Sequence, residues 1–376
     1  MKKKLHTETQ LIHGGYQRGE LPDVAPPIRP ATNFEHPNGA MNHEGLAYSR
    51  MGSPNKHQVE KIVAGLEEGT FGHAFASGLA AIHAVCTMES AGRHVIIHKD
   101  VYSGTRNLLQ KLEREGKITL TIADLIQPEE LNSLCEEQKG LVWIETPSNP
   151  MFDVLDIAEI SEIAHKNNYL SIVDNTWLTP IFQKPLTHGA DVVIHSGTKF
   201  LGGHSDLLSG IAVTNQNEIS EQLTEAQILF GATPSAFDCW LLERSLKTLS
   251  ARMSIHEENA KKIAKWLQND ERVEKVIHPS LFRDEKLTRF LKQSNGYGSM
   301  LSLMIKGNEE QTKKVVSNGS IITNATSLGG VESLWEHRKS TEGETSKTPE
   351  NLIRLSVGIE HVDDLINAID EALKVI

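Results

Sequence analysis

The sequence predicts an α/β fold, a mostly parallel sheet covered by helices on both faces, with a smaller C-terminal α+β domain. Three observations carry this expectation. Between 46 and 232, short apolar, β-branched runs alternate with helical stretches. The runs are almost continuously apolar, as strands buried on both faces must be. After about 233 the texture changes to a long helical pattern and weaker strand signals.

Residues 1–45 are rich in Pro, Gly and His (LPDVAPPIRPATNFEHPNG) and lack sustained periodicity, which predicts an extended arm. The strand candidates are HVIIH (94–98), ITLTIAD (118–124), LVWIET (141–146), YLSIVD (169–174), DVVIHS (191–196) and IAVT (211–214). Helical patterns over 78–89, 105–115 and 157–167 separate some of them. The connection 175–190 is long enough for a parallel crossover. Beyond it, the pattern predicts a helix over 236–267, a strand SMLSLMIK (299–306) and an amphipathic helix over 362–375. The polar run KSTEGETSKTP (339–349) reads as a surface loop. The expected organisation is an arm (1–45), a cofactor-binding α/β domain (46–232) and an α+β domain (233–376).

A chain of 376 residues with 39% hydrophobic and 23% charged residues has the composition of an ordinary globular protein of two or three domains. Its net charge of −11 argues against nucleic acid or an anionic membrane as the main partner. Three cysteines, Cys86, Cys135 and Cys239, show no C-x-x-C spacing, so neither a disulfide scaffold nor a thiolate zinc site is expected. The start MKKKLHTETQLIHGG is basic but no apolar segment follows it, so it does not read as a signal peptide. No run of 18 apolar residues suggests a membrane span, and the expected compartment is a reducing cytoplasm. On that expectation the glycosylation-like triplets at Asn318 and Asn324 are chance matches.

The chemistry concentrates in VDNTWLTPIFQKPLTHGADVVIHSGTKFLGGHSDLLSG, residues 173–210. Asp174 ends one predicted strand and Lys199 lies just past the next. Successive parallel strands would bring both to the sheet edge where open α/β folds bind ligands. An amine and a carboxylate there suit pyridoxal phosphate. The amine holds its aldehyde as a Schiff base, and the carboxylate keeps its ring nitrogen protonated. Ser196 and Thr198 supply hydroxyls for its phosphate. Ser77 and Gly78, in FASGLAAIHAV, sit at a helix start, where N–H groups and the dipole favour a dianion. Taken singly, a lysine after a strand or an Asp ending one is an ordinary solvated or capping residue; the ordered combination outweighs those readings. G-x-G-x-x-G, a phosphate-loop lysine and H-E-x-x-H are all missing from the sequence. His204 and Asp206 alone are weak evidence for a metal, and none is expected.

Almost end to end, from LIHGG (11–15) to IRLSVGIE (353–360), the chain resembles the trans-sulfuration (Cys/Met metabolism) enzymes of pyridoxal-phosphate fold type I. The resemblance implies a fold type I transferase in which Lys199 carries the cofactor and Asp174 pairs with its ring nitrogen. It implies that Tyr102, in DVYSGTRNLL, stacks on the ring, and that Asn149, in ETPSNP, donates to its 3′-oxygen. Gly78, Leu79, Ser196 and Thr198 resemble the family's phosphate cradle, beside Ser77, a candidate cofactor-binding residue at the helix start. Tyr48 and Arg50, in AYSRMGSPN, resemble a pair that reaches the phosphate of a neighbouring subunit, which implies shared sites and a homotetramer built from dimers. Arg354, in NLIRLSVG, resembles the clamp for the substrate carboxylate, supported by Ser327. The implied reaction is trans-sulfuration: a cystathionine lyase, β-elimination ahead of γ-elimination, or else a γ-replacement enzyme (cystathionine γ-synthase or O-acylhomoserine sulfhydrylase). A non-catalytic regulatory homologue and a nucleotide-binding α/β protein are the readings of other classes.

Two positions bear on the reaction within that resemblance. Gly104 stands where methionine γ-lyases of the family carry a cysteine, and Trp177 resembles several bacterial cystathionine β-lyases. The chain departs from the family after SLGGVESL, where many members run toward a Met-Thr-His stretch and this one reads WEHRKSTEGETSKTP. His337, Arg338 and Lys339 there either line the substrate mouth or form a solvated loop.

Overall fold

The computed structural model describes residues 5–15, 23–36, 39, 46–343 and 348–376. The expected arm therefore falls partly outside the described residues. Inside them it holds the helix Thr7–His13 and a bridge between Asn33 and Tyr48.

Seven strands form the large sheet: β1 (Phe71–Phe75), β2 (His94–His98), β3 (Thr119–Ala123), β4 (Gly140–Glu145), β5 (Tyr169–Asp174), β6 (Val192–Ser196) and β7 (Gly210–Thr214). Their order is β1-β7-β6-β5-β4-β2-β3. The five strands β2 to β6 run parallel, whereas β7 is antiparallel to both its neighbours, β6 and β1. β1, with sequence FGHAF, is absent from the sequence-derived list; a short edge strand carrying Gly and His gives almost no apolar run to detect.

Side-chain alternation along the central strands divides the core into two layers. Leu141, Trp143, Ile172, Val192 and Ile194 point to one face, against Ile82, Val85, Leu109 and Leu223 of the overlying helices. Val142, Ile144, Val173 and Val193 point to the other, against Ile157, Ile160 and Ala164. Because both faces are covered, the strands read as continuous apolar runs.

The smaller sheet comprises β8 (Val273–Ile277), β9 (Met300–Ile305), β10 (Thr323–Asn324), β11 (Leu334–His337) and β12 (Leu352–Ser356), in the order β10-β11-β12-β9-β8. The helices Leu249–Leu267, Glu309–Ser317 and Val362–Leu373 contribute Ile263, Val315 and Ile369 to the core that this sheet shares.

Two local expectations need correction. The single helix expected over 236–267 is two, Ala236–Leu246 and Leu249–Leu267. At the break, the backbone N–H and Oγ1 of Thr248 both donate to the Ser245 carbonyl, at 3.2 and 3.1 Å, a local alternative to the helical ladder. The segment 339–349 is not simply a loop, since residues Arg338–Glu342 form a short helix; residues 344–347 lie outside the described ones.

The second helix of that broken pair braces the loop after β6. Arg252, 4% exposed, donates from Nη1 to the Phe200 carbonyl at 2.7 Å, from Nη2 to the Ser245 carbonyl at 3.0 Å and from Nε to Thr248 Oγ1 at 3.1 Å. Gly203, at φ +68°, lies so close that a Cβ there would stand 2.1 Å from Nη1. Replacing Arg252 by Met leaves buried carbonyls without a charged donor. We expect a loss of about 2–3 kcal/mol in stability, read by urea denaturation, since hydrogen bonds to charged groups carry about that much each.

Candidate active site

The register of the large sheet brings distant sequence to one rim. Glu145 at the end of β4 pairs with Asp174 at the end of β5, and Asp174 pairs with Ile194 near the end of β6. β7 runs the other way, so Ser196 faces Gly210, and β1 ends with Phe75 also facing Gly210. The loop between Ser196 and Gly210, carrying Lys199, and the helix Gly78–Cys86 that follows β1 therefore start from the same rim. A cavity of about 240 Å³ opens there.

Most of the residues singled out in the sequence line it: Ser77, Gly78, Leu79, Tyr102, Asn149, Asp174, Ser196, Thr198, Lys199, Ser327 and Arg354. Tyr48 and Arg50 do not. Both sit outside the cavity, with the Arg50 carbon Cζ 5.5 Å from the centre of the Tyr48 ring and Nη1 donating to the Ile228 carbonyl at 2.9 Å. Glu145, Thr176 and Trp177 also line the cavity, as does Arg338. Of the open segment His337–Lys339, only Arg338 reaches it. His337 is turned to Ser340 Oγ (2.6 Å) and the Glu350 carbonyl (2.8 Å), and Lys339 pairs with Glu350 at 3.5 Å.

At one end, Ser77 caps the helix Gly78–Cys86, its Oγ accepting from the Ala80 N–H at 3.2 Å. The N–H groups leading a helix have no intrahelical acceptor, so those of Gly78 and Leu79 are available to an anion. Thr198 is fixed from behind, its Oγ1 accepting from the Ser209 N–H at 3.0 Å. A Cβ on Gly78 would lie 3.1 Å from the Ser196 side chain, so glycine keeps this end open.

In the middle two carboxylates meet. Asp174 Oδ1 accepts from the Thr176 N–H at 3.0 Å and from its hydroxyl at 2.6 Å. Burial pushes the Asp174 carboxyl above its ordinary range, against the pull of these hydrogen bonds and of His195. Glu145 Oε2 accepts from the Tyr102 N–H at 2.7 Å, and burial together with Asp174 pushes its carboxyl well above the ordinary range. Two adjacent buried carboxylates do not both ionise unless a cation joins them. Asp174, with the greater number of donors, is the one better held as an anion.

Lys199 Nζ donates to Ser327 Oγ at 2.9 Å. Burial, then the Arg354 guanidinium, lowers its pKa to about 8. Ser327 holds φ +139°, an unusual value for a residue with a Cβ, while its carbonyl accepts from Arg354 Nη2 at 3.0 Å. Arg354, 4% exposed, also reaches Asn149 Oδ1 at 3.3 Å and Glu336 Oε1 at 2.5 Å.

These features fit pyridoxal phosphate on chemical grounds: a partly neutral amine, a buried carboxylate lacking a cation, and a helix start beside two hydroxyls. Comparison with known proteins decides the assignment. The sequence profile of the Cys/Met metabolism PLP-dependent enzymes matches residues 8–374. The chain belongs to that family. Cys/Met metabolism PLP-dependent enzymes similar to this chain include a cystathionine β-lyase of Lactococcus lactis subsp. cremoris, 41% identical with 98% of each chain covered. A cystathionine γ-lyase of Bacillus subtilis is 39% identical, with all of each chain covered. The structure of cystathionine γ-synthase from Xanthomonas oryzae pv. oryzae in complex with cystathionine superposes with a TM-score of 0.94 at 34% identity, with 99% of each chain covered. The chain is therefore a PLP-dependent enzyme of trans-sulfuration type, with the fold of that family. Among the described residues no helix is long and apolar enough to cross a membrane, and no group of His, Cys, Asp and Glu is arranged to hold a metal.

A pKa near 8 makes Lys199 of this family member measurable directly. In cofactor-free protein, competitive acetylation followed by mass spectrometry is expected to give a Lys199 titration midpoint near 8. Exposed lysines should titrate near 10.4.

Proposed function

We propose that this chain is a carbon–sulfur lyase acting on cystathionine, cutting the Cβ–S bond in preference to the Cγ–S bond. What carries the reading is one cavity into which Lys199, Asp174 and Arg354 all project. Pyridoxal phosphate, when bound, draws off the electron pair left at Cα once that carbon loses its proton. Lys199 would hold the cofactor and Asp174 its ring nitrogen. Tyr102 would stack on the ring, Asn149 would reach its 3′-oxygen, and Ser77, Gly78, Leu79, Ser196 and Thr198 would cradle the phosphate.

The chain's own residues then have defined tasks. Arg354, supported by Ser327, would bind the substrate carboxylate with its fork. Lys199, released by the substrate amine and partly neutral near pH 7, would take the Cα proton as general base and return a proton to the leaving sulfur. β-Cleavage of cystathionine with one water yields homocysteine, pyruvate and ammonia; γ-cleavage yields cysteine, 2-oxobutyrate and ammonia.

Gly104 supports the choice of reaction. It stands where methionine γ-lyases carry a cysteine; a Cβ there would lie 2.3 Å from the half-exposed Tyr102 ring, so a side chain at 104 would require the ring to turn aside. Trp177 lines the cavity, buried against Phe152 at 4.8 Å between ring centres. The γ-replacement reading keeps support from the likeness to cystathionine γ-synthase.

The assembly proposed is a homotetramer of dimers with shared sites. Tyr48, Leu208, Phe230 and Phe237 are exposed large side chains that a second copy would cover. Arg50, held outward beside Ile228, would then serve the neighbour's phosphate. We propose division into domains at 46–232 and 233–376, each holding one sheet. We also propose a cytoplasmic location, supported by three free cysteines, of which Cys86 and Cys239 have thiols pushed by burial to about 12.

Purified with cofactor, the protein is expected to show the visible absorption band of lysine-bound pyridoxal phosphate and to lose it in Lys199→Ala. Cystathionine should then yield pyruvate in excess over 2-oxobutyrate. The reverse ratio selects the γ-lyase, and a band without either keto acid selects the replacement reaction. Gly104→Ala is expected to turn the Tyr102 ring aside and to lower kcat/KM, with little loss in melting temperature because the ring is half-exposed and alanine suits the helix Ser103–Arg114. Unchanged kinetics would show that the ring does not occupy that space.

A further inference from the structure

Arg338 lies in the segment where the chain leaves the family pattern, at the start of the short helix that follows β11. It is 2% exposed and lines the cavity. Nη1 donates to Glu336 Oε1 at 2.8 Å, and Nε lies 3.0 Å from Glu342 Oε1. Nη2, like Nε, is buried and makes no hydrogen bond among the described residues, and Nη2 lacks even the nearby carboxylate that Nε has. A buried guanidinium N–H group left unpaired is costly unless a ligand completes it.

The position of this donor relative to Arg354 gives it a purpose. Glu336, itself 3% exposed, offers one oxygen, Oε1, to both Arg338 (2.8 Å) and Arg354 (2.5 Å). Its other oxygen accepts from the Thr341 hydroxyl at 3.1 Å. The carboxylate thus ties two guanidiniums side by side and offsets the repulsion that would otherwise drive them apart. Burial and the Arg338 charge together lower the Arg354 pKa to about 10, and Lys199 is pushed down by burial first, then by Arg354 and, least, by Arg338. A carboxylate bound at Arg354 would therefore lie within the field of both arginines.

We propose that Arg338 and Arg354 form a two-guanidinium clamp for the substrate's carboxylate, with Arg338 Nη2 donating directly to it and Glu336 setting the spacing. The clamp deepens the function proposed above and rests on its placing of the substrate carboxylate at Arg354. A carboxylate that engages both arginines is held against rotation as well as displacement. The second donor thus fixes the Cα–H bond for the Lys199 amine, as well as strengthening binding.

The test uses holoenzyme and two probes without a leaving group: glycine, and glycinamide, whose carboxylate is replaced by an amide. Each is titrated through the change in the visible absorption of the bound cofactor. Wild type should bind glycine well ahead of glycinamide. Arg338→Met should weaken glycine binding by about 10- to 100-fold, the range of a hydrogen bond to a charged group, while hardly moving glycinamide. Arg338→Lys keeps the buried charge but not the fork, and should fall between them.

The decisive comparison is made in a Glu336→Gln background, where the tether between the arginines is weakened. If Arg338 touches the carboxylate, Arg338→Met still weakens glycine there. If it acts only by bracing Glu336, the further loss vanishes and the clamp is overturned. Equal losses for glycine and glycinamide, or unchanged glycine affinity in Arg338→Lys, would also overturn it. A wild type that shows the expected glycine selectivity but makes neither keto acid from cystathionine would support the clamp and sink the lyase reading instead.

Discussion

Two carboxylates side by side, buried at the end of a sheet, are unstable as a pair of anions, and this constraint organises the centre of the molecule. Glu145 and Asp174 are register partners on adjacent parallel strands, so the backbone itself sets them together. Thr176 supplies Asp174 with two donors, whereas Glu145 accepts from the Tyr102 N–H. The asymmetry favours the proton on Glu145 and leaves Asp174 ready for a cation. A protonated ring nitrogen is such a cation, and the match makes the family's cofactor chemically intelligible from the protein side alone.

The rest of the site follows from strand direction. Parallel β4, β5 and β6 share one end, and the antiparallel turn into β7 keeps the chain at that end for the whole loop that carries Lys199. Arg252 then fixes the loop from below through the Phe200 carbonyl. The opposite side of the cavity comes from the other sheet, where Arg354 on β12 and Glu336 on β11 are register partners across an antiparallel pair. One sheet therefore supplies the Lys199 and Asp174 side of the cavity and the other supplies the Arg354 side. The cavity is where they meet.

Much of this was legible in the sequence. Strands buried on both faces announce themselves as apolar runs, and β2, β4, β5 and β6 were readable for that reason. β1 was not, since an edge strand with a Gly at its second position carries little apolar signal. Lys199 and Asp174 could be placed at one edge from crossover length alone. Glu145 was missed although it stands inside a quoted motif, ETPSNP; pairing the last residues of successive parallel strands would have found it. Arg338 was left undecided between cavity and solvent. A polar, charged segment gives no periodicity to decide which side chain turns inward, and the outcome depends on Glu336 two residues earlier. Tyr48 and Arg50 lie away from the cavity of their own chain; the role the sequence suggests for them is toward a neighbouring subunit.

Gly104 and Tyr102 occupy what is in effect a shared volume. The aromatic ring fills the space that a side chain at 104 would need, at 2.3 Å from the missing Cβ. The ring is half-exposed, so it can yield that space by turning outward. A side chain at 104 would therefore set where the ring rests rather than whether the chain folds. The glycine leaves the ring free to settle over it.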